Sequence, residues 1–432
     1  MPTLKVFPAI ALIAALVACG GPEDGPPPGP APTPSPGPGP SPTPATITVR
    51  GRAVSLEGLP VIGLTAVISG HPGVNVDSEG EFAIADVRTP YELILVNGAI
   101  QHATVYRGLT RPDPTLVIAE AQPISPNRAT VNGTVTGGHY PQGAAEDSWA
   151  AFVSPQVRSI TRVDGTGSVG TFALPVEWSG APSVAGRVHA LQFSWQGELP
   201  AAFTAYGSAS VTLSPGGSFT PSIAVAPITS GSITGNVTLP GAYSVQSKQF
   251  AIHLDGARAL AFDDASQASS FSYVVPNVTA AEFSALVVAQ DPNGNAIAHT
   301  SAPVRAGGSI QLAPRAAPAL ILPANGALNV GPSMTFSWSA FSGGIHHVVF
   351  VQEGRFRLDL FTSGDTTTLP DLSALGLSVP RAAQLGWAVA GIAPVATVDE
   401  AASPAFADRL MLWSGQETFY GVSNSRSFTT AP

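Results

Sequence analysis

Cys19 has the most distinctive chemistry in this chain, because it is the one cysteine among 432 residues. It closes the run Leu16-Val17-Ala18-Cys19, at the end of an apolar stretch that begins at Val6. A thiol is the strongest nucleophile among ordinary side chains, so Cys19 could take a diacylglycerol group as a thioether. The small Ala18 leaves room for a peptidase to cut just before it. The apolar stretch is shorter than the ~20 residues of a membrane-spanning helix.

This arrangement resembles the lipobox of bacterial lipoproteins, and a plain secretory signal is the alternative. The resemblance implies a signal peptide over residues 1–18, cleavage between Ala18 and Cys19, and several acyl chains such as palmitate on Cys19. Two or more acyl chains hold a protein firmly on a membrane. Gly20, where an Asp would signal inner-membrane retention, implies the outer membrane or cell surface of a double-membraned bacterium. The membrane is therefore the first expected partner.

Two acidic turns offer oxygen atoms to a metal ion. One contains Asp77, Glu79 and Glu81, and the other is Asp291-Pro292-Asn293-Gly294-Asn295. Calcium accepts such ligands but usually needs six or more around it. Asp, Asn and Gly are also ordinary turn residues, so both readings stay open. His346-His347 is a weaker metal candidate, because neighbours on a strand point to opposite faces.

One glycine-rich segment, Gly165-Thr166-Gly167-Ser168-Val169-Gly170, matches the letters of a dinucleotide fingerprint. That fingerprint needs a following helix, whereas residues 171–176 are typical of a strand, so we interpret the segment as a flexible hairpin. The chain contains no Gly-x-Ser-x-Gly and no His-Glu-x-x-His motif. We predict no catalytic residue, no metal and no cofactor, although a catalytic triad assembles in space and spacing cannot exclude one.

Composition also limits which kinds of partner the protein can bind. The formal net charge is -9, 11% of residues are charged, and the sequence contains no Lys/Arg cluster. Binding to nucleic acid is therefore not expected, because a protein needs a basic face to neutralise phosphates. No cysteine follows residue 19, so the folded part must be stable without disulfides. Because 44% of residues are hydrophobic, most of the chain should fold.

The segment after the cysteine is predicted to be a disordered, lipid-anchored linker over residues 19–45. From Pro28 to Pro44 every second residue is proline, which favours an extended chain without a core. At ~3.1 Å per residue, polyproline II geometry would let residues 20–45 span roughly 80 Å. The linker would hold the folded part off the membrane. Binding to a proline-recognising domain is the alternative.

Beyond residue 45 the pattern is that of short strands, and it predicts an all-β fold. Large apolar and small residues alternate over several segments, without a long 3.6-residue period. The segment Pro370–Leu377 resembles a single helical turn. The residues expected on buried strand faces are Phe82 and Ile84; Met334, Phe336 and Trp338; and Leu385, Trp387 and Val389.

A weak internal repeat predicts tandem β-sandwich modules. Three similar openings end in Gly51, Gly133 and Gly235, which lie 82 and 102 residues apart, as expected for sandwiches of ~100 residues. Each opening is followed by a phenylalanine strand, at Phe82-Ala83-Ile84, Phe172-Ala173-Leu174 and Phe271-Ser272-Tyr273. The predicted modules are 46–121, 122–228, 229–315 and 316–432.

Two modules resemble known families. Val49-Arg50-Gly51-Arg52-Ala53-Val54 and Asp77-Ser78-Glu79-Gly80-Glu81-Phe82 are similar to a carboxypeptidase regulatory-like domain, a transthyretin-type β-sandwich, and the third module is similar but fainter. Leu322-Pro323-Ala324-Asn325-Gly326-Ala327, the Trp338 strand and Leu385-Gly386-Trp387-Ala388-Val389 resemble a fibronectin type III-like domain. Both resemblances imply accessory modules without catalytic residues.

Two functions follow as hypotheses. The first is a lipid-anchored cell-envelope protein with a structural, adhesive or protein-binding role, suggested by the anchor, the linker and the string of modules. The alternative is a carbohydrate-binding surface lipoprotein, since aromatic rings can stack on sugars, although aromatic residues at strand spacing are more often core. The aromatic candidates are Trp178, Trp195, Tyr206, Trp413 and Tyr420.

Overall fold

The computed structural model describes residues 46–56, 58–118, 127–140, 146–155, 157–178, 181–410 and 415–432. Cys19, Ala18 and the predicted linker lie outside these residues. The described chain consists almost entirely of strands arranged as tandem β-sandwiches, which confirms the predicted all-β fold. We number the four sandwiches in chain order as the first to fourth modules.

The first module is a seven-stranded sandwich. Its smaller sheet has the order β4-β1-β7, with β1 and β7 parallel, and it packs on strands in the order β3-β2-β5-β6. The alternation predicted at Phe82 and Ile84 is confirmed, because both are buried in β4. The strands are β1 Thr46–Val54, β2 Thr65–Ile68, β3 Val74–Asn75, β4 Glu81–Arg88, β5 Tyr91–Asn97, β6 His102–Leu109 and β7 Thr115–Val117.

The second module has the same strand connections. The sheet β11-β8-β14, to which β15 also adds, faces the sheet β10-β9-β12-β13-β16. The strands are β8 Asn127–Tyr140, β9 Glu146–Val153, β10 Arg158–Arg162, β11 Asp164–Trp178, β12 Val184–Gln196, β13 Leu199–Leu213, β14 Ser218–Phe219, β15 Ser222–Ala224 and β16 Ala226–Pro227.

The third module repeats this topology once more. The sheet β20-β17-β23 faces strands in the order β19-β18-β21-β22, and β17 is parallel to β23 as β1 is to β7. The strands are β17 Ser230–Val237, β18 Ser244–Leu254, β19 Ala257–Asp264, β20 Ser270–Pro276, β21 Ala281–Gln290, β22 Ala296–Thr300 and β23 Ser309–Leu312.

A glycine opposite a phenylalanine explains the sequence repeat. In each of the first three modules the repeated glycine is the register partner of the repeated phenylalanine on the neighbouring strand, and the phenylalanine ring lies over the glycine. A Cβ on the glycine would lie 2.1–2.2 Å from the ring Cζ, closer than real atoms approach. The three pairs are Gly51 with Phe82, Gly133 with Phe172 and Gly235 with Phe271.

The fourth module is built differently. Its sheet β24-β26-β29 packs against strands in the order β31-β30-β27-β28, with β32 joining β30 to β25. Between strands lie a 3-10 helix, Ser373–Leu375, inside the predicted helical turn, and two helices, α1 Val398–Ala401 and α2 Pro404–Leu410. The strands are β24 Leu320–Leu322, β25 Ala327–Val330, β26 Phe336–Trp338, β27 Ile345–Gln352, β28 Phe356–Thr362, β29 Thr366–Thr367, β30 Gln384–Ala393, β31 Thr418–Val422 and β32 Arg426–Thr430.

The prediction of burial is wrong for one residue of this module. Phe336 and Trp338 are buried, but Met334 is 37% exposed. The backbone N–H of Met334 donates to the carbonyl of Gly331 in a turn, so the strand begins two residues later, at Phe336. Leu385, Trp387 and Val389 are all buried in β30, as predicted.

Three of the four modules share one sheet. β22 of the third module pairs antiparallel with β31, and β6 of the first module pairs parallel with β28, so the fourth module lies between them. The result is a continuous sheet of 14 strands through the first, third and fourth modules. The modules are therefore joined by backbone hydrogen bonds as well as by the chain.

We expect Gly51→Ala to lower the free energy of unfolding by about 1–3 kcal/mol, the usual cost of forcing an extra carbon into a packed core. The reason is the contact with the Phe82 ring described above. Chemical denaturation measures the change. Gly98→Ala is the matched control, since a Cβ there meets nothing within 4 Å. Equal effects of the two substitutions would contradict the packing argument.

Candidate functional site

The most strongly constrained polar site lies where the first and fourth modules meet, and we call this β6–β28 junction the module seam. The parallel register runs from His102 opposite Arg357 to Tyr106 opposite Phe361. His102 stands at the start of β6, which places its ring beside the middle of β28. β27 lies on the other side of β28 and supplies His347, the partner of Phe361.

Asp359 is the centre of this seam. Its Oδ2 accepts hydrogen bonds from His102 Nε2 at 2.7 Å and Arg357 Nε at 2.7 Å. Its Oδ1 accepts from His347 Nε2 at 2.7 Å and Arg357 Nη2 at 3.0 Å. Asp359 is 2% exposed. Both carboxylate oxygens are therefore committed to donors from three strands.

The surroundings fix the charge of this carboxylate. Burial by itself raises the pKa of Asp359, but the hydrogen bonds from His102 and His347 and the charge of Arg357 hold it well below its ordinary value. A carboxylate accepts hydrogen bonds and donates none, so each imidazole presents an Nε2–H to it. The group is therefore a charged acceptor near neutral pH, and four hydrogen bonds already occupy its two oxygens.

Aromatic rings close the seam on one side. The ring of Phe361 stacks on Tyr106 with centroids 4.7 Å apart and on His347 with centroids 4.4 Å apart. Tyr420 on β31 is half-buried nearby, and burial together with the Asp359 charge raises its pKa. Stacked rings exclude water, which strengthens the ionic hydrogen bonds around Asp359.

The helical segment of the fourth module adds a second set of contacts to the first module. Asp399, in the first turn of α1, accepts backbone N–H bonds from Thr110 at 2.8 Å and Arg111 at 3.1 Å. The backbone N–H of Thr115, at the start of β7, donates to the carbonyl of Ala402. The two modules are thus joined at the sheet and at a loop.

The interface between the second and third modules is dominated by aromatic rings instead. Phe193 on β12 and the ring of Trp195 both pack edge-on against Phe262 on β19, at 5.5 and 5.7 Å between centroids. His189 lies at this interface, where its Nδ1 is 2.9 Å from the Tyr206 hydroxyl and its Nε2 is 3.3 Å from Asp255. Aromatic packing therefore holds this pair of modules.

Two buried histidines, His189 and His253, are kept neutral. Burial lowers the pKa of His189 to about 4, and the nearby Asp255 carboxylate opposes this only in part. Burial, with the positive charges of Arg258 and Arg158, also lowers the pKa of His253 to about 4. Nε2 of His253 is 2.8 Å from the hydroxyl of Ser284. Both rings behave as polar core residues near neutral pH.

The acidic turns use their oxygens internally. Asp77 Oδ1 accepts the backbone N–H groups of Glu79 and Glu81 at 3.0 and 2.7 Å. Asp291 Oδ1 accepts those of Asn293 and Asn295, both at 2.9 Å. These bonds favour the ordinary turn interpretation over calcium. Across the described ranges, no three His, Cys, Asp or Glu side chains converge as a metal site would require.

The other sequence candidates are strand residues. His346 and His347 point to opposite sides of β27, as expected, since His346 Nε2 accepts the backbone N–H of Phe341 while His347 binds Asp359. The glycine-rich segment lies within β11, and that strand continues as predicted. The chain folds back at this segment, as the hairpin interpretation predicts: Gly167 adopts a positive φ, and a Cβ on Gly165 would lie 2.2 Å from the carbonyl oxygen of Val169.

The aromatic residues proposed for sugar binding do not form a shared surface. Trp178 is 2% exposed and its indole N–H donates to the carbonyl of Ala181 at 2.9 Å. Trp195 and Tyr206 contact other residues at the interface between the second and third modules, and Tyr420 lies in the shared sheet beside the seam. Trp413 lies outside the described residues.

Sequence reasoning missed the helices and the seam. The start of α1 carried a recognisable signal, because Thr397 and Glu400 have the Ser/Thr-x-x-Glu spacing of a capping box. Thr397 Oγ1 accepts the backbone N–H of Glu400 at 3.2 Å. No comparable signal marks His102 or Asp359, which are 257 residues apart.

No protein-family model matches this chain, and no curated protein matches it. Among solved structures, the TIE protein of Bacillus anthracis is 10% identical, with 62% of this chain and 50% of that chain covered and a TM-score of 0.16. BcpA, the major pilin subunit of Bacillus cereus, is 8% identical, with 62% and 98% covered and a TM-score of 0.14. The chain spans about half the length of the TIE protein and 26% of a leucine-rich repeat protein from Bacteroides thetaiotaomicron.

These similarities are too distant to carry an argument about function. The fold defines the class of protein: a multi-module β-sandwich protein in which three modules share one sheet. Within the described part of the chain, no helix has the length and apolar character needed to cross a membrane.

Asp359→Asn should lower the free energy of unfolding by about 3–5 kcal/mol, because it leaves Arg357 and two imidazole donors buried around a neutral group. Denaturant titration of the full chain measures this. Asp113→Asn is the control, since its carboxylate pairs with Arg111 at 2.9 Å but is 71% exposed, and we expect a change within about 0.5 kcal/mol. Similar losses in both variants would contradict a special role for the seam.

The stability should also depend on pH through His189 and His253. Their folded pKa values of about 4 lie below the ordinary 6.5, so the unfolded chain takes up protons first and stability falls as pH drops from 6.5 towards 4. Between pH 7 and pH 5 each histidine should lower the free energy of unfolding by about 2 kcal/mol. Urea unfolding at both pH values measures the loss, and His189→Gln/His253→Gln should flatten it. An unchanged pH dependence in that variant would refute this.

Proposed function

We propose that this chain is a lipid-anchored protein of the bacterial cell envelope, with a structural, adhesive or protein-binding role and no catalytic role. The observation that carries the proposal is the sheet that runs unbroken through the first, third and fourth modules. Backbone pairing between these modules holds them in a fixed arrangement, which is what an envelope scaffold requires.

The use of buried polar groups supports the same role. An active site needs titratable groups that face a cleft and remain free to react. Here the buried carboxylate of Asp359 bonds to Arg357 on its own strand, to His102 across the module seam and to His347 on β27. Lys248, which is 1% exposed, is likewise bonded to Ser266 and Ala268 and paired with Asp264 at 3.3 Å.

The anchoring part of the proposal comes from Cys19. Its lipobox-like surroundings support acylation, and the proline-rich residues 20–45 would place the modules away from the bilayer. The partner would be another envelope protein or a surface. The finer resemblances, to regulatory-like modules in the first and third positions and a fibronectin type III-like module at the end, belong to this proposal.

Cys19→Ala should abolish anchoring. We expect the native chain to sediment with the cell envelope, to resist salt extraction and to be released by detergent, whereas the variant loses the acyl mass on its N-terminal peptide and becomes salt-extractable. Fractionation combined with mass spectrometry of that peptide measures both effects. Ser41→Ala, in the linker, is the control.

Two results would contradict the proposal. An unmodified Cys19 thiol in the native mature protein would overturn the anchoring. Failure of the native chain to cross-link to any envelope component would count against the binding role.

A further inference from the structure

A cleft lies on the outer face of the smaller sheet of the first module, and we call it the arginine cleft. Its volume of about 500 Å³ falls in the range of sites for small organic ligands, ~300–1,000 Å³. β1 lies at its centre, because β4 and β7 pair on either side of that strand. Pro404, the first residue of α2, also lines it, so the first and fourth modules build the cleft together.

Strand register brings the polar residues of the cleft together. Arg50 and Arg52 are two positions apart on β1, so both side chains point away from the core on the same face. Arg52 is the register partner of Glu81 on β4 and of Thr115 on β7. Arg50 lies opposite Ala83 on β4, and the single methyl group of that alanine leaves space beside the guanidinium.

The two arginines of β1 have hydrogen-bonding capacity to spare. Arg50 is exposed, and within the described ranges its guanidinium has no hydrogen-bond or ion-pair partner. In the same part of the chain Arg52 uses only its Nε, which donates to the carbonyl of Glu79 at 3.4 Å. Arg111 is occupied by contrast, since it donates to the Asp113 carboxylate at 2.9 and 3.1 Å. Arg50 and Arg52 therefore offer free N–H donors to a ligand in the cleft.

The balance of available charge favours an anionic ligand. Three acidic residues also line the cleft, but Asp77 and Asp113 already accept the turn N–H groups and the Arg111 bonds described above. Glu81 remains, so the two arginines of β1 face one available carboxylate. A guanidinium matches a carboxylate with two parallel N–H···O bonds. A doubly charged phosphate would be repelled by the acidic residues, so a singly charged carboxylate fits the cleft better.

The backbone around the cleft decides which kind of carboxylate can bind. β1 has a neighbouring strand on both sides, so an extended peptide finds no free strand edge at the centre of the cleft. Recognition must go through side chains. The arginines can donate to a carboxylate, and Glu81 can accept a hydrogen bond from a hydroxyl group. A sugar acid carries both groups on one ring.

We propose that the arginine cleft binds a carboxylated sugar residue of a surface polysaccharide, with Arg50 and Arg52 on the carboxylate and Glu81 on a ring hydroxyl. The inference rests on the proposed binding role at the cell envelope and gives that role a partner of defined chemistry. It does not rest on lipid anchoring. Because the cleft is open to solvent, binding should weaken as salt is added.

Isothermal titration of the full chain with a galacturonate trimer tests the proposal. Arg50→Ala should weaken binding at least about tenfold, the usual effect of losing a hydrogen bond between charged groups. Ala83→Leu fills the space beside Arg50 without changing the charge, and it should abolish binding. Arg305→Ala is the matched control, because it removes the same charge from a side chain of the third module that is 71% exposed, and it should bind like the native chain.

A further variant separates charge from geometry. Arg50→Lys keeps the positive charge but loses the planar fork, so it should bind more weakly than the native chain and more tightly than Arg50→Ala. An unchanged unfolding midpoint in each variant distinguishes lost binding from lost structure.

Four outcomes overturn the proposal. Absence of binding at millimolar galacturonate removes the site. Equal losses in Arg50→Ala and Arg305→Ala show attraction to net charge alone. Equal binding of the methyl-esterified trimer shows that the carboxylate is not recognised. Tighter binding of a glutamate tripeptide assigns the cleft to an acidic peptide instead.

These results are independent of the tests of the proposed function. An unmodified Cys19 thiol would overturn the anchoring and leave the galacturonate titration unchanged. Failure to bind galacturonate, in a chain that is acylated and cross-links to an envelope component, would remove the arginine cleft alone.

Discussion

Unpaired strand edges are the constraint on which this architecture depends. A sandwich leaves rows of unsatisfied backbone groups at the edges of its sheets, and such edges must be paired, covered or blocked. Here β6 and β22, edge strands of the first and third modules, both pair with strands of the fourth module. The last module in the chain therefore lies inside the shared sheet, and the edge of β6 is completed only after residues 357–361 have been synthesised.

Buried charge gives the β6–β28 junction its register. A parallel pair buries its backbone bonds without a connecting turn to set the alignment, so side chains must distinguish the correct register from its neighbours. A shift by one residue would separate His102 from Asp359 and leave a buried carboxylate short of a donor, which is costly. The interface between the second and third modules uses aromatic packing and neutral histidines instead. The two junctions should therefore respond differently to acid.

A scaffold role requires modules that keep a fixed arrangement, and the shared sheet provides this for three of them. A fold of this type does not by itself define an activity. What it defines is which surfaces are free, because the groups used to join modules cannot also bind a ligand.

The amino-acid sequence by itself determined the strands, the all-β class and the Gly–Phe repeat, because alternation and the need for a glycine under a ring are local requirements that Gly51 and Phe82 display within 31 residues of each other. It also contains the capping pattern of Thr397 and Glu400. Alternation alone predicts Met334 to be buried, but a turn at Gly331 delays the start of the strand to Phe336. Only the tertiary structure decided that His102 meets Asp359 and that three modules share a sheet. The pairing of strand edges depends on the shapes of complete modules. No sequence pattern predicts a contact between residues that are 257 positions apart.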